Sequence, residues 1–342
     1  MRIKSLYLSN FRNISELDLD FSDKFLIEGR TGAGKTSIIE ACYILSSGKS
    51  FKTTQLKECI KNEANNFFIK CSAEDIEGYS REISIGYDTE DNRKILMDGS
   101  EVRRKSLLEA LLPVVHSSFD FNLITGGPKS RRDFIDKVCF VNDNSYLDDL
   151  GSYLSFLKNK NTALKNGNTK VIKYLNLAAI PLISRIRKKR KDAVEKVNKK
   201  IKETSLRLFP EITAFFCYNP NEDIEKKLEG ILELELSKGF CLYGPHLDQI
   251  NLNIKSGKAK NNISMGETYI NSFLIRLSEI GIYEDLKLHP VFFIDDIFVF
   301  VDNETKKLLF DEIERLDNQV IMTSSLENLN KFNNIEKYYL SK

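Results

Sequence analysis

The stretch FLIEGRTGAGKTSIIEA, Phe25 to Ala41, constrains this chain more than any other. It reads as a buried strand, a glycine loop and the opening of a helix. Gly29-x-x-x-x-Gly34-Lys35-Thr36 fits the P-loop pattern, in which glycines let backbone N–H groups wrap a phosphate and the lysine reaches its outer oxygens. The strand before and the helix after are the context such a loop needs. The expected phosphate cradle is therefore Gly29, Arg30, Thr31, Gly32, Ala33, Gly34, Lys35 and Thr36, with the Thr36 hydroxyl as a Mg²⁺ ligand.

A P-loop that hydrolyses a nucleotide also needs a carboxylate at the end of a buried strand. VFFIDD supplies Asp295 and Asp296 directly after four apolar residues. Asp295 is the natural metal ligand. Asp296, one residue on, is placed to orient or deprotonate an attacking water, and with Lys35 it forms the expected catalytic pair. A DD pair alone also fits a solvated turn or a helix N-cap; the apolar strand and the P-loop favour the metal site.

Composition narrows the class. The chain has 342 residues, 42% hydrophobic and 29% charged, enough for one large core or two domains. A net charge of +2 excludes coating nucleic acid by bulk charge and leaves only local patches. One such patch is the run Arg185, Arg187, Lys188, Lys189, Arg190. It lacks interleaved aromatics, so it suits duplex backbone rather than stacked single strands. The cysteines form no C-x-x-C pair and read as buried thiols. The start MRIKSLYLSNFRN alternates instead of showing an apolar leader, and no run approaches 18 apolar residues, so a cytoplasmic protein without a membrane partner is expected.

Residues 1–100 alternate like strands, with a hairpin turn at Asp98-Gly99. From Tyr146 to Leu208 apolar residues recur at helical spacing, and breaks are expected at Asn166 to Asn168 and at Pro181. The segment is too interrupted for a long coiled coil and reads as a compact helical lobe. After Pro210 strands return, ending in the apolar runs of VFFIDDIFVFVD and NQVIMTSS.

Far from the P-loop, Ser264-Met265-Gly266-Glu267 opens a strongly helical run, and a serine and a glycine at a helix N-terminus make a second anion site. Two copies facing each other would bring the two sites to one phosphate.

These residues carry a family resemblance. NFRN at the start, GRTGAGKT, SMGE as a variant of the S-G-G-Q signature, and IDDIFVFVD resemble an ABC-type ATPase of the SMC-related class. Within it, NLITGGPKSRRDFID, YLSFLKNKNTALK and LYGPHLDQINL resemble the RecF family, nearly along the whole chain and in order. The resemblance implies an α/β fold: an ABC-type P-loop ATPase lobe, a mixed β-sheet around the P-loop helix, at 1–116 and 207–342, with an inserted helical lobe at 117–206. It implies ATP and Mg²⁺ as cofactors and an ATP-dependent homodimer on gapped or double-stranded DNA, with weak, DNA-stimulated hydrolysis. It also implies RecR/RecO-type mediator proteins as partners in recombinational repair. Ser264 and Gly266 of one copy would face the phosphates held by Lys35 of the other, Asp302 would lie at the subunit interface, and Arg12 would approach the nucleotide.

The sequence departs from the family pattern at Thr31, usually Asn, at Glu267 in place of the signature Gln, at Leu247 and Gln249 in GPHLDQ, and at Phe300 in place of Glu. None removes a phosphate or metal ligand; the changes bear on the dimer interface and the hydrolysis rate. The alternatives are an SMC-like structural ATPase that tethers DNA or partners, and a transporter-type ATPase subunit. Against the latter stand the NFRN start and Thr323, which lies where transporters carry a switch histidine.

Overall fold

The computed structural model describes residues 1–75, 77–220, 223–255, 263–325 and 335–340. The chain divides into two compact units, Met1–Phe121 with Ile263–Lys342, and Asn122–Asn262.

The chain opens with β1 (Arg2–Phe11), β2 (Ile14–Asp20) and β3 (Lys24–Glu28), passes through α1 (Lys35–Ser47), and continues with β4 (Asn66–Glu74), β5 (Ser80–Asp88), β6 (Arg93–Met97), β7 (Ser100–Glu101), α2 (Arg104–Ala110) and β8 (Pro113–His116). Then come α3 (Phe121–Thr125), α4 (Pro128–Asn142), α5 (Ser145–Lys165), α6 (Thr169–Leu208), β9 (Thr213–Cys217), α7 (Ile224–Gly230), α8 (Leu232–Lys238) and β10 (Asn251–Lys255). The final stretch holds α9 (Met265–Asp285), β11 (Val291–Ile294), α10 (Asn303–Arg315), β12 (Val320–Ser324) and β13 (Glu336–Tyr339).

The first unit contains two sheets. An antiparallel sheet runs β2-β1-β4-β5-β6-β7, and a five-stranded sheet runs β13-β3-β12-β11-β8 with every pair parallel. The two kinds of sequence run explain the difference. In β4, NFFIKCSAE buries alternate residues, as a strand with one solvated face must. In β11, all of VFFI is buried, as in β12, because a parallel sheet is covered on both faces. From α1, Ile38, Ile39, Cys42 and Leu45 join one apolar core with residues of both sheets. The Asp98-Gly99 turn joins β6 to β7, with both residues at positive φ (51° and 77°), the geometry of the tight turns that suit a hairpin's twist.

The second unit is built on α4, α5 and α6. The expected break at residues 166–168 is present, between α5 and α6. The expected break at Pro181 is not: α6 continues through it for 40 residues. Proline removes one N–H and clashes with the carbonyl four residues back, but Leu177 and Pro181 are both exposed, so water can satisfy the freed carbonyl. The return to the first unit comes at Ile263 and not at the expected 207. The reason is that among the described residues β9 pairs only with β10, and Asn198 of α6 clamps Phe216 of β9 by two hydrogen bonds of 2.8 and 2.7 Å.

Candidate phosphate-binding site

The P-loop leaves β3 and enters α1. Gly29, Gly32 and Gly34 have φ of 156°, 80° and 114°, a backbone closed to most side chains. At Gly29 space excludes a side chain as well, since a Cβ there would lie 2.7 Å from the Leu340 carbonyl oxygen, and at Gly34 a Cβ would press on Asn13 Oδ1 at 3.1 Å. Arg30, Thr31 and Gly32 are exposed at the loop's tip, whereas Ala33 and Lys35 are buried. The Lys35 ammonium turns back into the loop and donates to the carbonyls of Gly29 (2.8 Å) and Arg30 (3.1 Å).

Beside it, the C-terminal ends of β11 and β12 bring the acidic pair to the loop. Thr36 Oγ1 donates to Asp295 Oδ1 at 2.8 Å, and Thr323 Oγ1 donates to the same oxygen at 2.8 Å. The Thr323 hydroxyl also accepts the Asp296 N–H (2.8 Å), and the Asp295 N–H bonds the His116 carbonyl (2.9 Å). Asp296 is held at φ 53°, a left-handed conformation sparsely used by non-glycine residues. Burial raises the Asp295 carboxyl above its ordinary value, and the two threonine hydroxyls offset part of that rise. A buried carboxylate held by neutral hydroxyls fits a cation, and an ammonium inside a nest of glycine backbone fits a polyphosphate. The residue types and their arrangement thus suit Mg²⁺-bound nucleotide.

The other expected site residues are distributed differently. Arg12 grips the buried Glu40 of α1 through two bonds (2.9 and 2.6 Å) and donates to the Glu58 carbonyl (2.7 Å), so it braces the helix behind the loop. Its neighbour Asn13 touches the loop instead, donating to the Gly32 carbonyl (3.1 Å) and accepting from the Ser37 hydroxyl (3.3 Å). Sequence reasoning passed over Asn13, which lies within NFRN, and placed Thr323 only at the switch-histidine position, without its bonds to the acidic pair.

Ser264 is the N-cap of α9 and forms a capping box with Glu267: its hydroxyl accepts the Glu267 N–H (3.2 Å), and its own N–H donates to Glu267 Oε2 (2.8 Å). Gly266 is packed so tightly that a Cβ there would lie 3.0 Å from the Phe300 carbonyl oxygen. Around this helix start, Ile263, Met265, Val299 and Phe300 are exposed apolar side chains. Asp302 caps α10 by accepting the Thr305 N–H at 2.9 Å.

The basic run on α6 splits into two faces. Arg187 and Arg190 point inward. Arg187 binds Asp248 (2.7 Å) and the Tyr243 hydroxyl (2.6 Å), while Arg190 binds Asp136 through two bonds (2.8 and 2.9 Å) and the Pro245 carbonyl (2.6 Å). Burial pushes the Asp248 carboxyl up, but the bonds from Arg187 and Tyr218 override it and hold the group below its ordinary value. A guanidinium so enclosed cannot reach a phosphate backbone, which corrects the expected DNA-facing role of Arg187 and Arg190. Of the remainder, Arg185 pairs with Asp149, Lys189 pairs with Asp143 and Asp149, and Lys188 is exposed. Among the described residues no helix is long and apolar enough to cross a membrane.

Comparison with known proteins matches residues 2–340 to the RecF/RecN/SMC N terminal domain. The chain is 30% identical over 345 residues to the "DNA replication and repair protein RecF" of Chlamydia trachomatis serovar A, covering 95% of this chain and 93% of that protein. The protein of the same description from Proteus mirabilis is 28% identical over 335 residues, covering 95% and 92%. Among solved structures, one described as the recombination mediator protein RecF-ATP in the RecFOR pathway superposes with a TM-score of 0.87 at 24% identity, covering 99% and 96% of the two chains. An SMC head bound to the C-winged helix domain of ScpA superposes less closely, with a TM-score of 0.58 at 17% identity, and both likenesses speak to the fold.

Proposed function

The chain belongs to the RecF family, within the group that shares the RecF/RecN/SMC N-terminal domain, and on that footing we propose that it is an ATP-binding DNA repair and recombination mediator whose ATP-dependent dimer clamps gapped or duplex DNA. The observation that carries this reading is the convergence of Lys35, Thr36 and Asp295 at the ends of parallel strands.

When bound with Mg²⁺, ATP supplies the scissile phosphoanhydride and the negative charge shared between two copies. Lys35 and the Gly29–Thr36 backbone neutralise and orient the phosphates, and Thr36 with Asp295 holds the metal. Asp296, fixed by Thr323, orients a water and accepts its proton. Ser264 and Gly266 at the start of α9 offer backbone N–H groups and a helix dipole to the phosphate held by a second copy, and the apolar residues around them form the seam. Asp302 lies at that seam. The dimer would close on ATP and open after slow hydrolysis to ADP and phosphate, so the nucleotide times a population shift between closed and open states. Duplex backbone is held through phosphate contacts, with Lys188 and Arg185 as the accessible cations of the α6 run. RecR- and RecO-type mediator proteins are the partners that this reading takes from the family resemblance.

The test is titration of a fluorescent ATP analogue with Mg²⁺ into wild type and Lys35→Ala, followed by ATP turnover with and without a gapped duplex. Saturable binding lost in Lys35→Ala, with slow turnover stimulated by the duplex, supports the proposal. Equal binding by both proteins contradicts it.

A further inference from the structure

The second unit carries a groove of ≈ 550 Å³ between α6 and the α7–α8 pair that plays no part in the chemistry above. Its apolar wall is formed by Leu177, Ile180 and Leu228, with Leu177 59% exposed. Its rim carries Glu225, Glu229 and Glu233, spaced four residues apart and all exposed. Among the described residues no cation lies within ion-pair distance of any of the three, Lys173 of the same groove included. With three glutamates and one lysine, the lining carries a net charge of −2.

A second observation is independent of the rim. Asn176 lines the groove, is only 8% exposed, and has its Oδ1 buried without a hydrogen-bond partner. A buried acceptor left unsatisfied costs free energy until a donor arrives, and such orphans are rare in folded proteins. An apolar wall, three unpaired carboxylates on its rim, two from α7 and one from α8, and a waiting acceptor together describe a complementary object. It carries arginine or lysine at four-residue spacing, leucine-sized side chains between them, and one N–H to give.

We infer that this groove is a docking site for an amphipathic, basic helix of a partner protein, seated by its apolar face on Leu177, Ile180 and Leu228 and held by cations over the three glutamates. Helix-in-groove recognition of this kind takes its affinity from the apolar anchors, and its orientation and encounter rate from the charges. The inference is independent of the nucleotide reading, because it uses no residue of the first unit.

The experiment uses the full chain and a fluorescein-labelled Leu/Arg peptide with arginines four residues apart, followed by fluorescence anisotropy at rising salt. The comparison peptide replaces leucine with serine. The expected result is saturable binding of the Leu/Arg peptide and much weaker binding of the Ser/Arg peptide. Glu225→Lys/Glu229→Lys/Glu233→Lys and, separately, Asn176→Leu should each weaken it by about tenfold while the circular dichroism spectrum stays that of the folded wild type and Asn176→Leu, which removes the orphaned acceptor, melts no lower than wild type. Glu195→Lys/Glu203→Lys, a charge change elsewhere in the unit, should leave affinity unchanged. Absence of binding, equal binding of both peptides, or loss in only one of the two groove variants overturns the inference. So does a change in the protein's own oligomeric mass on Leu177→Asp, which would make the groove a contact between copies.

Discussion

The Thr36 hydroxyl lies 2.8 Å from Asp295 Oδ1, closing a contact between residues 259 positions apart. It joins the helix that starts at the phosphate loop to the strand that ends at the acidic pair. Thr323 doubles the contact from a neighbouring strand by donating to the same oxygen. The site is therefore pinned from α1, β11 and β12 at once, and the buried carboxylate is the group on which all three depend.

Asp295→Asn should lower Mg²⁺-dependent ATP turnover by about a hundredfold while raising the stability of the nucleotide-free protein at neutral pH. Burial raises this carboxyl's folded value above 3.8, so the folded state binds the proton more tightly than the unfolded one. The charged form then costs stability above that value, and the cost shrinks as pH falls. Thermal melting of the variant should show its gain at neutral pH and converge on wild type as pH approaches 3.8. A variant less stable than wild type at neutral pH would show that the threonine bonds outweigh burial.

His116 should give the opposite slope. It is fully buried, touches Ser272 Oγ at 2.9 Å through Nε2, and burial lowers its value from 6.5 to about 4. The unfolded chain takes up this proton first, so stability is present in full above 6.5 and is lost as pH falls toward 4. His116→Gln should flatten that part of the stability profile, measured by denaturant midpoints across the window.

The two faces of the α6 run separate structure from binding. Arg190→Ala leaves Asp136 without its two-bond partner and should cost about 3 kcal/mol or more in unfolding free energy. Lys188→Ala should change stability by less than about 0.5 kcal/mol, while weakening duplex binding and reducing the salt slope by about one unit. Denaturation and DNA titrations at several salt concentrations distinguish the two.

Glu267 occupies the hydroxyl and N–H of Ser264 with its own carboxylate, where the S-G-G-Q signature that this stretch resembles has a neutral Gln. Glu267→Gln keeps the capping box, so stability should change by less than about 1 kcal/mol. Removing the negative charge from the helix start proposed to face phosphate should let a dimer form at about severalfold lower concentration of a slowly hydrolysed ATP analogue. Sedimentation velocity across an analogue titration reads this directly.

Much of this was legible in the sequence because its signals are local. GRTGAGKT fixes a loop through glycines that the backbone needs at positive φ, and VFFIDD fixes a fully buried strand with an acid at its end. The α6 run misled because charge was read without phase. Arg187 and Arg190 fall in step with the buried Ile183, Ile186, Ala193, Val194 and Val197, so helical periodicity already turned them inward. Their partners Asp136 and Asp248 are distant in sequence, and no local pattern announces them. The same holds for Thr323 and Asn13, whose roles arise only when separate strands and loops meet. Pro181 misled for another reason: a proline's cost depends on whether the freed carbonyl can reach water, which local sequence does not fix.

The most direct test of the central claim, that ATP joins two copies through Lys35 of one and Ser264 of the other, is mass by light scattering on a short gapped duplex. Samples carry no nucleotide, ADP, or a slowly hydrolysed ATP analogue, with Lys35→Ala and Ser264→Arg alongside. The account predicts a DNA-bound dimer only with the ATP analogue, and monomers for both variants under every condition. A wild-type protein that stays monomeric with the analogue, or a dimer indifferent to nucleotide and to both substitutions, would contradict it.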